Sequence, residues 1–226
     1  MDFSFLRKRF NESLFDIYSS EELNVIFYNI MKQLTDKSKV ELLTGNYKLG
    51  HDKEKLFFEY INRLSKNEPL QYILGNTLFN NLEFDLDSSV LIPRPETEEL
   101  VDLIIKYECK KDKILDICSG SGCIAITLAK YIKRSDVTAL EICSNAVKII
   151  NSNADKHNVK IDIICKDFFT FHTKSSFDLI VSNPPYLTYS QKDKISKNVL
   201  NYEPHKALFI DDGDPLIFYK SILDFS

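Results

Sequence analysis

The sequence predicts an α/β fold, a mostly parallel doubly wound sheet preceded by a small helical region. Three observations carry that prediction. From Glu96 onward, apolar runs of strand length alternate with amphipathic stretches of helix length. The segment Leu115-Asp116-Ile117-Cys118-Ser119-Gly120-Ser121-Gly122 joins one such strand to a helix and is rich in glycine. The tetrapeptide Asn183-Pro184-Pro185-Tyr186 directly follows an apolar run at 177–182. Consecutive prolines donate no ladder hydrogen bonds, so the strand must stop there.

The elements follow in order. Residues 1–75 read as a helical domain that either caps the next domain or binds a substrate or partner. Ser19 with Glu22, and Ser38 with Glu41, have the form of capping boxes. Leu23, Ile26, Phe27 and Ile30 fall on one helical face, and Leu56, Phe57, Tyr60, Ile61 and Leu64 on another. Gly45 is placed to end the short helix between them. Residues 76–93 read as a linking β-hairpin turned by Asn80-Asn81, with Gln71 and Tyr72 at its approach. Residues 94–226 hold the α/β domain. Helices are expected over 96–107, 124–132 and 145–157, and strands over 114–117, 137–141, 161–165 and 177–182. A last helix should start with Asp214 as N-cap and Pro215 at its first position, presenting Leu216, Tyr219 and Leu223 as its face.

Composition narrows the function. The chain has 226 residues, 44% of them hydrophobic, enough for a packed core. A net charge of −4 argues against a nucleic-acid binder with a broad basic surface. Cys109, Cys118, Cys123, Cys143 and Cys165 form no C-x-x-C pair and read as reduced thiols of a cytoplasmic protein. No metal site is expected. Neither a leader nor an apolar stretch of about 18 residues occurs, so no membrane span is predicted.

Doubly wound sheets bind ligands at the carboxyl ends of their strands. Gly120 and Gly122 let the backbone approach a ligand, and the helix starting near Cys123 aims its free N–H groups there. Glu141 ends the next strand, where an acid can accept from ribose hydroxyls. The full dinucleotide glycine spacing is absent. Asn183 offers a carbonyl oxygen, Pro184 a backbone carbonyl and Tyr186 a flat face, a set suited to a planar NH2 group.

On these residues the chain resembles the release-factor glutamine methyltransferases of the HemK/PrmC type. Pro69-Leu70-Gln71-Tyr72-Ile73-Leu74-Gly75, Leu91-Ile92-Pro93-Arg94-Pro95-Glu96-Thr97-Glu98, Ser182-Asn183-Pro184-Pro185-Tyr186, and Glu203-Pro204 with Ala207-Leu208 all stand as in that family. The resemblance implies a Rossmann-like sheet that takes S-adenosyl-L-methionine as cofactor and class 1 peptide-chain release factors as protein substrate. It implies that Cys118, Ser119, Gly120, Ser121 and Gly122 cradle the methionine part. Glu141 would hold the ribose, Phe168 would lie against the adenine, and Asn183 would border the cofactor. Asn183, Pro184, Pro185 and Tyr186 would hold the glutamine, with Asn183, Pro184 and Tyr186 as the catalytic set.

Three departures stand out. Cys118 replaces the usual first glycine of the loop, which costs about 1 kcal/mol if that position has a positive φ. Glu141 replaces the usual aspartate. The family's pattern continues for several tens of residues past Ser226, so the sheet is expected to be incomplete at its C-terminal side and the chain less stable for it. The alternatives are an N6-adenine nucleic-acid methyltransferase, which shares the N-P-P-Y turn, and an inactive fragment that binds a partner. His205 and Glu203 read as a surface pair.

Overall fold

The computed structural model describes residues 1–45, 47–107 and 112–226, so Cys109 lies outside the described residues. The chain divides into two compact units, Met1–Leu74 and Gly75–Ser226.

The first unit holds α1 (Phe3–Leu14), α2 (Ser20–Thr35), α3 (Lys39–Thr44), α4 (His51–Leu64) and α5 (Leu70–Leu74). Both capping boxes form, at Ser19 with Glu22 and at Ser38 with Glu41. They satisfy N–H groups that a helix start leaves open. Phe10, Phe27 and Phe57 are fully buried, and Phe27 meets the other two rings edge-on at 5.3 and 6.2 Å. Leu6, Phe10 and Leu14 of α1 complete this core. Gly45 does end α3, but in an extended conformation at φ −98° and not as a left-handed cap. Gln71 and Tyr72 belong to α5, not to a hairpin, because Tyr72 and Ile73 donate back to the Pro69 carbonyl and close a helical turn.

The second unit opens with the hairpin β1 (Asn76–Phe79) and β2 (Leu82–Asp85). Asn80 and Asn81 turn it with φ of 49° and 60°, the left-handed pair that suits the twist of two-residue hairpins. The hairpin is shorter than the segment read as strand: its ladder ends at the Asn76–Asp85 pair, where Asp85 also bonds Asn153. The Asp85 N–H donates to Asn153 Oδ1 at 2.7 Å, and Asn153 Nδ2 donates to the carbonyls of Asp85 and Ser121 at 3.1 and 3.0 Å. Asn153 is fully buried, so this amide fastens the hairpin to the glycine-rich loop.

The central sheet comprises β3 (Lys113–Ile117), β4 (Asp136–Glu141), β5 (Asp162–Cys165) and β6 (Leu179–Ser182), all parallel, in the order β5-β4-β3-β6. Its register aligns Ile117 with Leu140 and Ser182, and Glu141 with Cys165. The loops after all four strands therefore emerge at one edge. On one face Ile114, Ala139 and Val181 pack with residues of α6 (Pro95–Lys106), α7 (Cys123–Tyr131) and α8 (Ser144–His157). On the other face Leu115, Ile117 and Leu140 pack with Phe168, Phe171 and the last helix, α11 (Ile217–Phe225). Between them lie β7 (Leu187–Thr188), α9 (Lys197–Tyr202), α10 (His205–Leu208) and β8 (Phe209–Ile210), with β7 and β8 paired in parallel.

Two elements differ from the sequence reading. The strand expected over 177–182 starts at Leu179, because Asp178 accepts from the Lys113 N–H at 2.9 Å and closes the strand's entry. The last helix starts at Ile217, not at Pro215. Asp214 Oδ1 accepts from Leu216 N–H and Lys220 Nζ, which holds residues 214–217 in a turn. Its packed face is Phe218, Ile222 and Phe225, while Leu216, Tyr219 and Leu223 stay exposed. The reason is aromatic complementarity. Phe168 and Phe171 offer rings to Phe218 and Phe225 at 5.8 to 6.5 Å. Among the described residues β6 pairs only with β3, and its Leu179 and Ile180 are half-buried.

Candidate active site

A cavity of about 640 Å³ opens at the carboxyl edge of the sheet. It is large enough for a nucleoside-sized ligand. Its wall on the β3 and β4 side is the glycine-rich loop. Cys118 has φ 62°, Gly120 56° and Gly122 79°, so three left-handed residues fold the backbone back within five positions. The side chain at Cys118 therefore sits in the conformation that glycine adopts without strain. A Cβ at Gly120 would meet nothing within 4 Å, so that face of the loop is open. A Cβ at Gly122 would press Ile126 and Ile150 at 3.0 and 3.1 Å, so this glycine serves helix packing.

Two acids hold the loop. Glu141 is buried, its Oε2 accepts from Gly120 N–H at 2.9 Å, and its Oε1 accepts from Cys143 N–H at 2.8 Å. Each oxygen keeps a lone pair for further donors. Asp116 is fully buried. Its Oδ2 accepts from the Ser119 hydroxyl and from Ala125 N–H at 3.2 Å, while its Oδ1 has no partner. Burial pushes its carboxyl up to about 7, the bonds from Ser119 and Ala125 oppose that rise, and the Glu141 charge adds to it. Burial also raises the Cys118 thiol, and takes Cys123 to about 12, so neither is a thiolate near neutral pH.

The β5 side supplies Phe168 and Phe169. Phe168 is buried against Phe218 and Phe225, whereas Phe169 is half exposed and meets Phe218 at 4.7 Å. Phe168, Phe169 and Phe218 all line the cavity. The β6 side supplies Asn183 and Pro185. Asn183 Nδ2 donates to Thr97 Oγ1 at 3.3 Å, which leaves Oδ1 as its acceptor.

The structure thus brings Cys118, Ser119, Gly120, Ser121, Glu141, Phe168, Asn183 and Pro185 to one cavity. Gly122, Pro184 and Tyr186 are not among its lining residues. Pro184 is buried, and Tyr186 is 54% exposed. The tyrosine in the wall is Tyr189, stacked on Phe209 at 5.1 Å and 14°. His205 and Glu203 are not a surface pair. The Glu203 side chain is 1% exposed and bridges to Arg94 at 2.6 Å, while His205 bonds the Leu200 carbonyl. A carboxylate so buried needs a charged partner, which Arg94 supplies, and the Ile92 N–H adds a bond at 3.4 Å.

These residues suit a cationic nucleoside cofactor. The loop is open at Gly120, and an anchored acid stands at the strand end where ribose hydroxyls are met.

The small methyltransferase domain (MTS) profile matches residues 75–211, and that of the PrmC N-terminal domain matches residues 6–75. The release factor glutamine methyltransferase of Flavobacterium psychrophilum is 41% identical over 225 residues, covering 96% of this chain and 79% of that protein. The Bacteroides thetaiotaomicron enzyme of the same name is 39% identical over 94% of this chain and 78% of its own length. The chain belongs to the release factor glutamine methyltransferase family. It is a methyltransferase that uses S-adenosyl-L-methionine. Among solved structures, M. jannaschii TYW2 in complex with AdoMet aligns at 21% identity and TM-score 0.44, over 53% of this chain and 55% of that one.

Sequence reasoning missed Thr97, Asp116, Tyr189 and Phe218. Asp116 carried a signal, an acid inside a strand otherwise apolar. Thr97 and Phe218 carried none, because their roles arise from contacts distant in sequence.

Proposed function

We propose that this chain methylates the side-chain amide nitrogen, N5, of a glutamine in a class 1 peptide-chain release factor. The observation that carries the proposal is the Asn183 amide in the cofactor cavity, its Nδ2 held by Thr97 and its Oδ1 available to accept. The names of the relatives support the same substrate.

An amide nitrogen is a weak nucleophile, because its lone pair is shared with its carbonyl. S-adenosylmethionine, when bound, supplies a methyl group on a positively charged sulfur. The protein's part is to hold the amide in line with that methyl. Asn183 Oδ1 takes one N–H of the glutamine, and the Pro184 carbonyl takes the other. The exposed ring of Tyr186 would offer its flat face to the amide plane. Positioning of this kind contributes up to about 7–11 kcal/mol. The bond formed is N–C and the bond broken is C–S, whose electron pair returns to sulfur. The displaced amide proton passes to water. Glu141 and the loop from Cys118 to Gly122 would hold the ribose and methionine part of the cofactor, and Phe168 would hold its adenine.

The test is product mapping. The protein is incubated with methyl-labelled S-adenosylmethionine and either a release factor or DNA. One added methyl on a glutamine side chain, with unlabelled DNA, is the expected result. Label on adenine, or none on the release factor, overturns the proposal.

A further inference from the structure

The proposed role of Asn183 raises the question of what keeps its amide the right way round. A carboxamide presents a donor or an acceptor depending on a half-turn about its last bond, and only the acceptor suits an NH2 substrate. A connected path of contacts runs to Asn183 from a part-buried ion pair. Glu203 accepts from Arg94 at 2.6 Å and from the Ile92 N–H at 3.4 Å. Arg94 is the N-cap of α6, and its carbonyl accepts from the Thr97 N–H at 3.0 Å. Thr97 is buried, lines the cavity, and takes Asn183 Nδ2 on its hydroxyl oxygen at 3.3 Å. No other side chain among the described residues bonds the Asn183 amide.

We propose that Thr97 is a positioning residue for methyl transfer. It holds the Asn183 amide with Nδ2 turned to the helix and Oδ1 left for the acceptor, and the pair of buried Glu203 with half-buried Arg94 fixes Thr97 in its place. This rests on the reading of Asn183 as the acceptor-binding amide. The sequence P-R-P-E-T-E then has a division of labour. Arg94 is the anchor, Pro95 starts the helix, and Thr97 is the contact.

Thr97→Val keeps the shape and removes the hydroxyl. It should lower the single-turnover rate on a release factor about 10- to 100-fold, with cofactor affinity changed by no more than about 3-fold. Thr97→Ser restores the oxygen and should recover most of the rate. In an Asn183→Ala background, Thr97→Val should cost nothing further, as expected for two residues acting as one unit. Cofactor titration and thermal unfolding of each variant report whether the fold survives. A wild-type rate for Thr97→Val beside an inactive Asn183→Ala overturns the role of Thr97 alone. A wild-type rate for Asn183→Ala overturns the reading of Asn183 and the inference with it. Equal losses of rate and cofactor affinity in Thr97→Val mark a structural role and also overturn the inference.

Discussion

The two walls of the cavity are built differently. The wall proposed to hold the cofactor grows from β3 and β4, inside the sheet, and its Glu141 is buried and bonded to backbone N–H groups. The acceptor wall grows from β6, which among the described residues pairs on one side only, and its key amide is held by a single side-chain contact. Under the proposed function the first wall binds and the second orients. Damage to the first should therefore appear in affinity, and damage to the second in rate.

The largest effect is expected at Asn183. Asn183→Ala should reduce single-turnover methyl transfer by about 100-fold or more, the scale of a lost alignment. Its affinity for S-adenosylmethionine should stay within about 3-fold. A variant with near-normal turnover would merge the two walls into one.

Glu141→Ala should do the reverse. Losing charged hydrogen bonds should weaken cofactor binding by about 1–3 kcal/mol, with the rate at saturating cofactor largely kept. Isothermal titration against the rate at saturation separates the two. Unchanged affinity would remove Glu141 from the ribose.

A smaller effect belongs to Asp116. Its carboxyl stands near 7 in the fold against an ordinary 3.8. Below about pH 4 it is protonated folded or unfolded. Between about pH 4 and 7 the unfolded chain releases this proton and the folded one keeps it, so stability falls as pH rises. Above about 7 the penalty is complete. Asp116→Asn should flatten that decline in denaturant titrations without cofactor. An unaltered slope would assign it to other groups.

The smallest change is expected at Cys118. Its thiol is protonated and its role lies in the backbone, so Cys118→Ala should turn over normally and shift stability by no more than about 1 kcal/mol. A large loss of turnover would give the sulfur a function that its environment does not suggest.

What the sequence revealed follows from how local each signal is. The capping boxes at Ser19 and Ser38, the Asn80-Asn81 turn and the glycine loop are written within a few residues, and all formed. The positive φ at Cys118 was legible as a departure from glycine. The reach of the last helix was not, because its aromatic face is chosen by Phe168 and Phe171, far back in the chain. Glu203 looked like a surface acid for the same reason, since its partner Arg94 lies 109 residues away. Tyr189 went unread because it reaches the cavity wall through the parallel pairing of β7 with β8, which brings it against Phe209.

The division between a binding wall and an orienting wall is tested most directly by one paired measurement. Cofactor dissociation constants and single-turnover rates on a release factor are determined for Asn183→Ala and Glu141→Ala under identical conditions. The account predicts a rate collapse with near-normal affinity for the first, and weakened affinity with a near-normal saturated rate for the second. Parallel losses of both quantities in both variants would contradict it.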